Sequence, residues 1–282
     1  MDPYTEPMAS PQELVLMAVH AHPGPESTNT GGILAHYARQ GVRVVLVTCT
    51  DGQLGTGAEG AAPGQDGHDP SAVAETRRAE LRAAGEHLGV HHLELLGYRD
   101  SGMDAAGPPG GFRDVPVEEV AARIGALVER YRPQVVVTYD PEVHYHPDHT
   151  HAALATQQAV RETGIPAKGY SVALGAAYWT EIHDAAVRAG LREDGGRPGP
   201  GAEARQVDDR ITTIVDVAEV LARKQAAILA HASQIRGTWI ERLFSREMPA
   251  VLGRETYIRT WDRSGAPLPE RDLFAGIRAD RA

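Results

Sequence analysis

The chain has 282 residues, 42% apolar and 23% charged, with 28 basic against 38 acidic side chains and a formal charge of −10. No run approaches the roughly 18 consecutive apolar residues of a membrane span, and the acidic balance repels phosphate backbones, which argues against membrane spanning and against non-specific nucleic-acid binding. The single cysteine, Cys49, leaves no disulfide framework and no cysteine-based zinc site.

The opening MDPYTEPMASPQE is acidic and proline-punctuated and lacks the basic start and apolar stretch of a secretory signal, which predicts a disordered lead-in over residues 1–13 of a cytoplasmic protein. Residues 14–20 (LVLMAVH) are an apolar run rich in strand formers, followed by a polar stretch and a helical pattern at 31–40. A second run at 42–48 (VRVVLVT) is nearly continuous, as in strands covered on both faces. A Gly-rich stretch at 51–70, a helix at 71–88 stopped by Gly89, and a strand HLELL at 92–96 come next. A Gly/Pro loop at 97–114, a helix from Pro116 to Tyr131 and a strand at 134–139 repeat the alternation. Beyond residue 160 the pattern predicts a strand or hairpin around 169–180, a flexible loop over 190–204, a strand near 210–216, a helix over 217–231 and an irregular C-terminal extension.

Four strand–loop–helix repeats in the first 160 residues predict an α/β fold: a Rossmann-like, open, mainly parallel sheet flanked by helices, as a single domain over 14–282. In such sheets ligands sit beyond the carboxyl ends of the strands where strand order reverses. For the order 3-2-1-4 that point lies between the first and fourth strands, so AHPGPE (21–26) and DPEVHYHPDH (140–149) would meet at one crevice.

Those two segments hold the informative excess. The 13 histidines cluster as His20 and His22, His91 and His92, and His144, His146, His149 and His151. Imidazole is the commonest metal ligand and the side chain that titrates nearest neutral pH. His146 and His149 are three apart with Asp148 between them, close enough to converge on one ion or substrate. A divalent metal with an open position lowers the pKa of bound water to about 7 and polarises a carbonyl, the chemistry of metal-assisted amide hydrolysis. Asp148 also suits the first turn of a helix, where the dipole favours it. HExxH, GxSxG, P-loop and GxGxxG patterns are absent. His91 and His92 read as surface residues, and Arg77 and Arg78 are placed to pair with Glu75 or Glu80 on a solvated helix face.

The segment VHAHPGPESTNTGGILAHYARQGVRVVLVTCTDGQLG resembles the opening of the PIG-L/LmbE-type N-deacetylases, and HPDH at 146–149 is similar to their second metal motif. RRAELRAAGEHLGV (77–90), GYRDSGM (97–103), TYDP (138–141) and AHASQ (230–234) fit as well, so the resemblance spans residues 14–235. RDSGM looks most like the mycothiol branch, the deacetylase of N-acetylglucosaminyl-inositol and the amidase of mycothiol S-conjugates. The resemblance implies zinc or another divalent metal that activates water against an amide of a small N-acylated amino sugar or thiol conjugate. It implies His22 and His149 as ligands, His146 as the imidazole that stabilises the oxyanion or protonates the leaving amine, and Asp148 as the group orienting it. Arg77 and Asp100 match sugar-gripping positions, Met103 lines the same pocket, and His231 with Gln234 lies near it.

Where the family has His-Pro-Asp-Asp-Glu, this chain has His22-Pro23-Gly24-Pro25-Glu26. The first missing aspartate is the family's general base and the second its third metal ligand. Tyr145 stands, with His144, where the family carries its transition-state tyrosine. Three readings remain open: an active amidohydrolase in which Glu26, His20 or His144 supplies the third ligand, a sugar-binding protein that has lost hydrolysis, and a metal-free acid–base enzyme on the same fold.

Overall fold

The computed structural model describes residues 13–103, 109–143, 146–192, 202–246 and 249–278. The expected lead-in therefore lies outside the described residues, except for Glu13. The strands are β1 (Val15–His20), β2 (Arg43–Thr50), β3 (His92–Tyr98), β4 (Val135–Thr138), β5 (Lys168–Val172), β6 (Thr213–Asp216) and β7 (Arg254–Asp262). The helices are α1 (Pro25–Asn29), α2 (Gly31–Arg39), α3 (Pro70–Leu88), α4 (Val117–Tyr131), α5 (Pro147–Thr163), α6 (Ala176–Arg188), α7 (Ala202–Arg210), α8 (Leu221–Ala230), α9 (Ala232–Ile235) and α10 (Trp239–Phe244).

The seven strands form one sheet in the order β3-β2-β1-β4-β5-β7-β6. Pairing is parallel from β3 through β5 and antiparallel where β7 meets β5 and β6. The continuous apolar runs follow from burial on both faces. Leu16 and Ala18 of β1 pack with Ile33, Leu81 and Ala227 from α2, α3 and α8, while Val15, Met17 and Val19 pack with Ile124 of α4 and Ala155 of α5. A third apolar cluster joins α6, α8 and α10 through Ile182, Ile228 and Phe244.

Three expectations for the second half change. Of the strand or hairpin expected around 169–180, the strand is present as β5, which ends at Val172, and the remainder is helical, with α6 starting at Ala176. Of the loop expected over 190–204, residues 193–201 lie outside the described residues, and α7 begins at Ala202. The irregular C-terminal extension contains β7, which inserts between β5 and β6. Among the described residues no helix is long and apolar enough to cross a membrane.

Candidate active site

β1 and β4 are neighbours at the point where the strand order reverses, so the segments leaving them share one crevice. His22 lies two residues beyond the end of β1, His146 is the N-cap of α5, and His149 sits in the first turn of that helix. The ring of His22 is 4.4 Å from that of His146 and 5.3 Å from that of His149, centroid to centroid. His149 stacks on Tyr139, which follows β4, at 4.0 Å with the planes 5° apart. Asp100 enters from the loop after β3, its Oδ1 3.7 Å from His22 Nε2.

Hydrogen bonds divide the roles differently from the implied ones. His22 Nε2 donates to Asp148 Oδ2 at 3.1 Å, and the Ser101 N–H donates to the same oxygen at 3.0 Å. The Asp148 carboxylate therefore orients His22, not His146. His146 instead receives the backbone N–H of Asp148 at its Nδ1, 3.1 Å away. That bond occupies the Nδ1 lone pair, so the neutral ring carries its proton on Nε2 and is a donor. Burial first, then the neighbouring His22, pulls the His146 pKa down to about 4. His149 is pushed far below the usual histidine range by burial and by the other imidazoles. Burial alone would raise Asp148, but the bond and charge of His22 and the Ser101 N–H outweigh it and hold the carboxyl below its ordinary value. At neutral pH the crevice thus holds neutral His146 and His149 beside an ionised Asp148.

Glu26 does not join this cluster. Its Oε1 lies 2.5 Å from His231 Nε2 and accepts from Ser27 Oγ at 2.7 Å, and its Oε2 accepts the Gly24 N–H at 2.6 Å. A carboxylate committed to three donors is not free to ligate an ion beside His22. His20 is turned to Thr30 Oγ1, 2.9 Å away, with its ring edge-on to Tyr139. His144 and Tyr145 lie outside the described residues.

Arg77 is buried rather than solvated. Its Nη1 donates to the Gly52 carbonyl at 2.6 Å and its Nη2 to the Pro23 carbonyl, so it clamps the bend after His22 to the loop after β2. A Cβ on Gly52 would stand 2.2 Å from Arg77 Nη1, which is why the clamp needs glycine there. Arg78 pairs with Asp51 and Glu80 receives Ser233, so neither makes the surface pairs expected for α3. Gln234 binds both the N–H and the carbonyl of Thr56, tying the AHASQ segment to the same loop. Met103 is 66% exposed. Ser101 and Tyr139 were not singled out from sequence. Their signals are the GYRDSGM and TYDP segments in which they lie and their place after a strand end.

Gly24 adopts φ +124° and ψ −58°, a conformation that L side chains rarely take. The bend is thus shaped for glycine where the family has its base. Metal-binding capacity survives in part. Donor atoms of His22, Asp100 and His146 lie within 4.8 Å of one another, and this is the one group of that kind among the described residues. With the His146 Nδ1 lone pair taken by the Asp148 N–H, His22 and Asp100 are the two of this group that fit a divalent ion, and His146 stands beside them as a donor. This set differs from the expected His22, His149 and Glu26.

Residues 17–160 match the family PIG-L, GlcNAc-PI de-N-acetylase. The chain is 36% identical over 287 residues to a 1D-myo-inositol 2-acetamido-2-deoxy-alpha-D-glucopyranoside deacetylase of Streptomyces griseus, covering 93% of this chain and 88% of that protein. Its fold is similar to that of N,N'-diacetylchitobiose deacetylase from Pyrococcus horikoshii, with TM-score 0.58 and 19% identity over 88% of this chain and 84% of the other. It is similar too to 4-carboxy-2-hydroxymuconate hydratase from Pseudomonas putida, with TM-score 0.59 and 19% identity over 89% and 97%. At that identity the two structures establish the sheet-and-helix architecture, which a deacetylase and a hydratase share.

Proposed function

The chain belongs to the PIG-L de-N-acetylase family, and from that premise we propose that it hydrolyses the amide of a small N-acylated amino sugar or related thiol conjugate. Water adds across the C–N bond to give a carboxylate and a free amine. The observation that carries the reading is the convergence of His22, Asp100 and His146 from three separate strand ends onto one crevice.

The residues divide the work. A divalent ion, zinc being the usual one for such donors, would be held chiefly by His22 and Asp100 and would polarise the amide carbonyl and acidify water. His146 presents an Nε2–H because its Nδ1 is taken by the Asp148 N–H, so it stabilises the oxyanion and protonates the departing amine. Asp148 positions His22 through their 3.1 Å bond. With Gly24 and Pro25 carrying no carboxylate, the proton of the attacking water passes to solvent, which lowers turnover about 10²–10⁴-fold relative to a site that has the base.

A second reading, ligand binding without hydrolysis, is favoured by the glycine-specific backbone at residue 24. Release of free amine from N-acetylglucosamine derivatives, followed with a fluorogenic amine reagent in the presence of zinc, separates the two. The expected result is slow turnover that His22→Ala abolishes. No release above background at saturating zinc rejects hydrolysis and leaves the binding reading.

A further inference from the structure

Beside the histidine crevice, between α6 and α10, lies a cavity of about 290 Å³ whose walls are apolar and aromatic, with Leu174, Trp179, Ile182, Trp239, Ile240 and Phe244 among them. Pro25, Tyr139 and His149 also line it. It therefore opens from the reaction centre itself: His149 lines the cavity on one side and stands 5.3 Å from His22 on the other.

The sheet order gives this continuity a direction. The polar groups that can meet a sugar, Asp100 and the loop over residues 50–55, follow β3 and β2 on one side of the crevice. The cavity lies on the opposite side, against the ends of β4 and β5, and the imidazoles stand between. An amino sugar seated on the β2–β3 side, with its nitrogen toward His22 and His146, would point its acyl group at Tyr139 and the tryptophans. An acetyl methyl would leave most of that space unfilled. An apolar cavity of about 150 Å³ already takes up benzene, so a volume near 290 Å³ suits a larger group.

We propose that this cavity receives the acyl chain of the substrate and that the chain selects N-acyl groups of about six to eight carbons, or aryl-acyl groups of similar size, over acetyl. This deepens the proposed amide hydrolysis and rests on it only for the chemistry, since the binding preference can be read without turnover.

The test is calorimetric titration of chelator-treated full-length protein with N-octanoylglucosamine and with N-acetylglucosamine, followed by an amine-release assay with zinc restored. Burial of a methylene is worth about a fourfold gain in affinity, and after the cost of ordering the chain the octanoyl compound is expected to bind at least about 30-fold more tightly. Ile240→Asp should lower that ratio at least tenfold. Trp179→Ala, which removes bulk without adding charge, should lower it at least threefold, with far-UV dichroism confirming that both variants are folded. Equal affinities, no measurable binding of either compound, or a ratio untouched by both folded variants overturns the proposal. A preserved octanoyl preference with no amine released from either compound overturns only the hydrolytic reading.

Discussion

His231 and Glu26, 205 residues apart in the chain, form a buried pair with His231 Nε2 2.5 Å from Glu26 Oε1. The pair ties the end of α8 to the first turn of α1, directly behind the bend that carries His22. Burial would raise the Glu26 pKa, but the charge of His231 and the hydrogen bonds from His231 and Ser27 outweigh it and bring the carboxyl to about 2. Burial likewise opposes protonation of His231, yet Glu26 overcomes it and lifts His231 above its ordinary value.

The pair predicts a stability plateau bounded on both sides. Glu26 contributes fully above 4.5, its unfolded value, and loses the contribution as pH falls toward about 2. His231 contributes fully below 6.5 and loses it as pH rises through its raised folded value. The difference in melting temperature between the parent and Glu26→Gln, followed by dichroism, should therefore be largest between about pH 4.5 and 6.5, while the lowered His20, His146 and His149 cost the parent stability as pH falls below 6.5. Glu26→Gln should remove this pair's part of both limbs and lower stability on the order of 3 kcal/mol on the plateau. An unchanged pH profile in that variant would show that the pair is not coupled to folding.

Arg77 is expected to act on structure before it acts on substrate. Arg77→Ala leaves the Pro23 carbonyl without its guanidinium donor and the Gly52 carbonyl with the Gly55 N–H alone, and should cost about 1–3 kcal/mol by denaturant titration. Arg77→Lys should recover less than half of that, because one ammonium cannot reproduce two divergent guanidinium donors. A variant as stable as the parent with a raised KM alone would restore the sugar-gripping role.

How far the chain could be read depended on where each residue's partners lie. β1, β2 and β4 were legible because both faces are buried, so Val44 to Val47 and Val135 to Val137 are apolar without interruption. β7 was not. RETYIRTWD is mostly polar, and its strand state comes from pairing with β5 and β6 rather than from its own pattern. In the site, His22, His146 and His149 could be brought together from sequence, because strand order alone places the ends of β1 and β4 side by side. The partners of Glu26 and Arg77 could not. Glu26 looked available for an ion until His231 was seen to hold it, and Arg77 looked solvated until its guanidinium was found between two backbone carbonyls.

Restoring the two missing aspartates should not be a simple gain. Gly24→Asp forces a side chain onto φ +124° and is expected to cost about 1–2 kcal/mol. Pro25→Asp removes a ring without that strain and places a carboxylate one residue nearer His22 than Glu26. Competition titration with a zinc chelator should show Pro25→Asp binding zinc at least tenfold more tightly than the parent. The double variant should gain turnover as well, with a lower melting temperature. Zinc affinity unmoved by Pro25→Asp would mean that the bend does not face the ion.

His146→Ala and Asp148→Asn should differ in kind. Removing the Nε2–H of His146 takes away the donor to the oxyanion and should lower kcat about 10²–10³-fold with little change in KM. Asp148→Asn keeps a polar group beside His22 but discards the negative charge. It should weaken zinc binding about 10–100-fold, with turnover recovering as zinc is raised. If His146→Ala keeps full activity, proton donation belongs to another group.

The far edge of the sheet carries a separate consequence. Glu270, beyond β7, accepts hydrogen bonds from Lys168, Tyr170, Thr213 and Arg259, and its backbone bridges Thr212 and Ile214. Leu273 and Phe274 follow it into the packed interior beside Tyr37. A stop codon at residue 269 would thus strand the buried Lys168 ammonium without its Glu270 partner and strip the outermost strands of their bracing. A truncation that spares every histidine of the crevice would still lower the stability of the whole sheet.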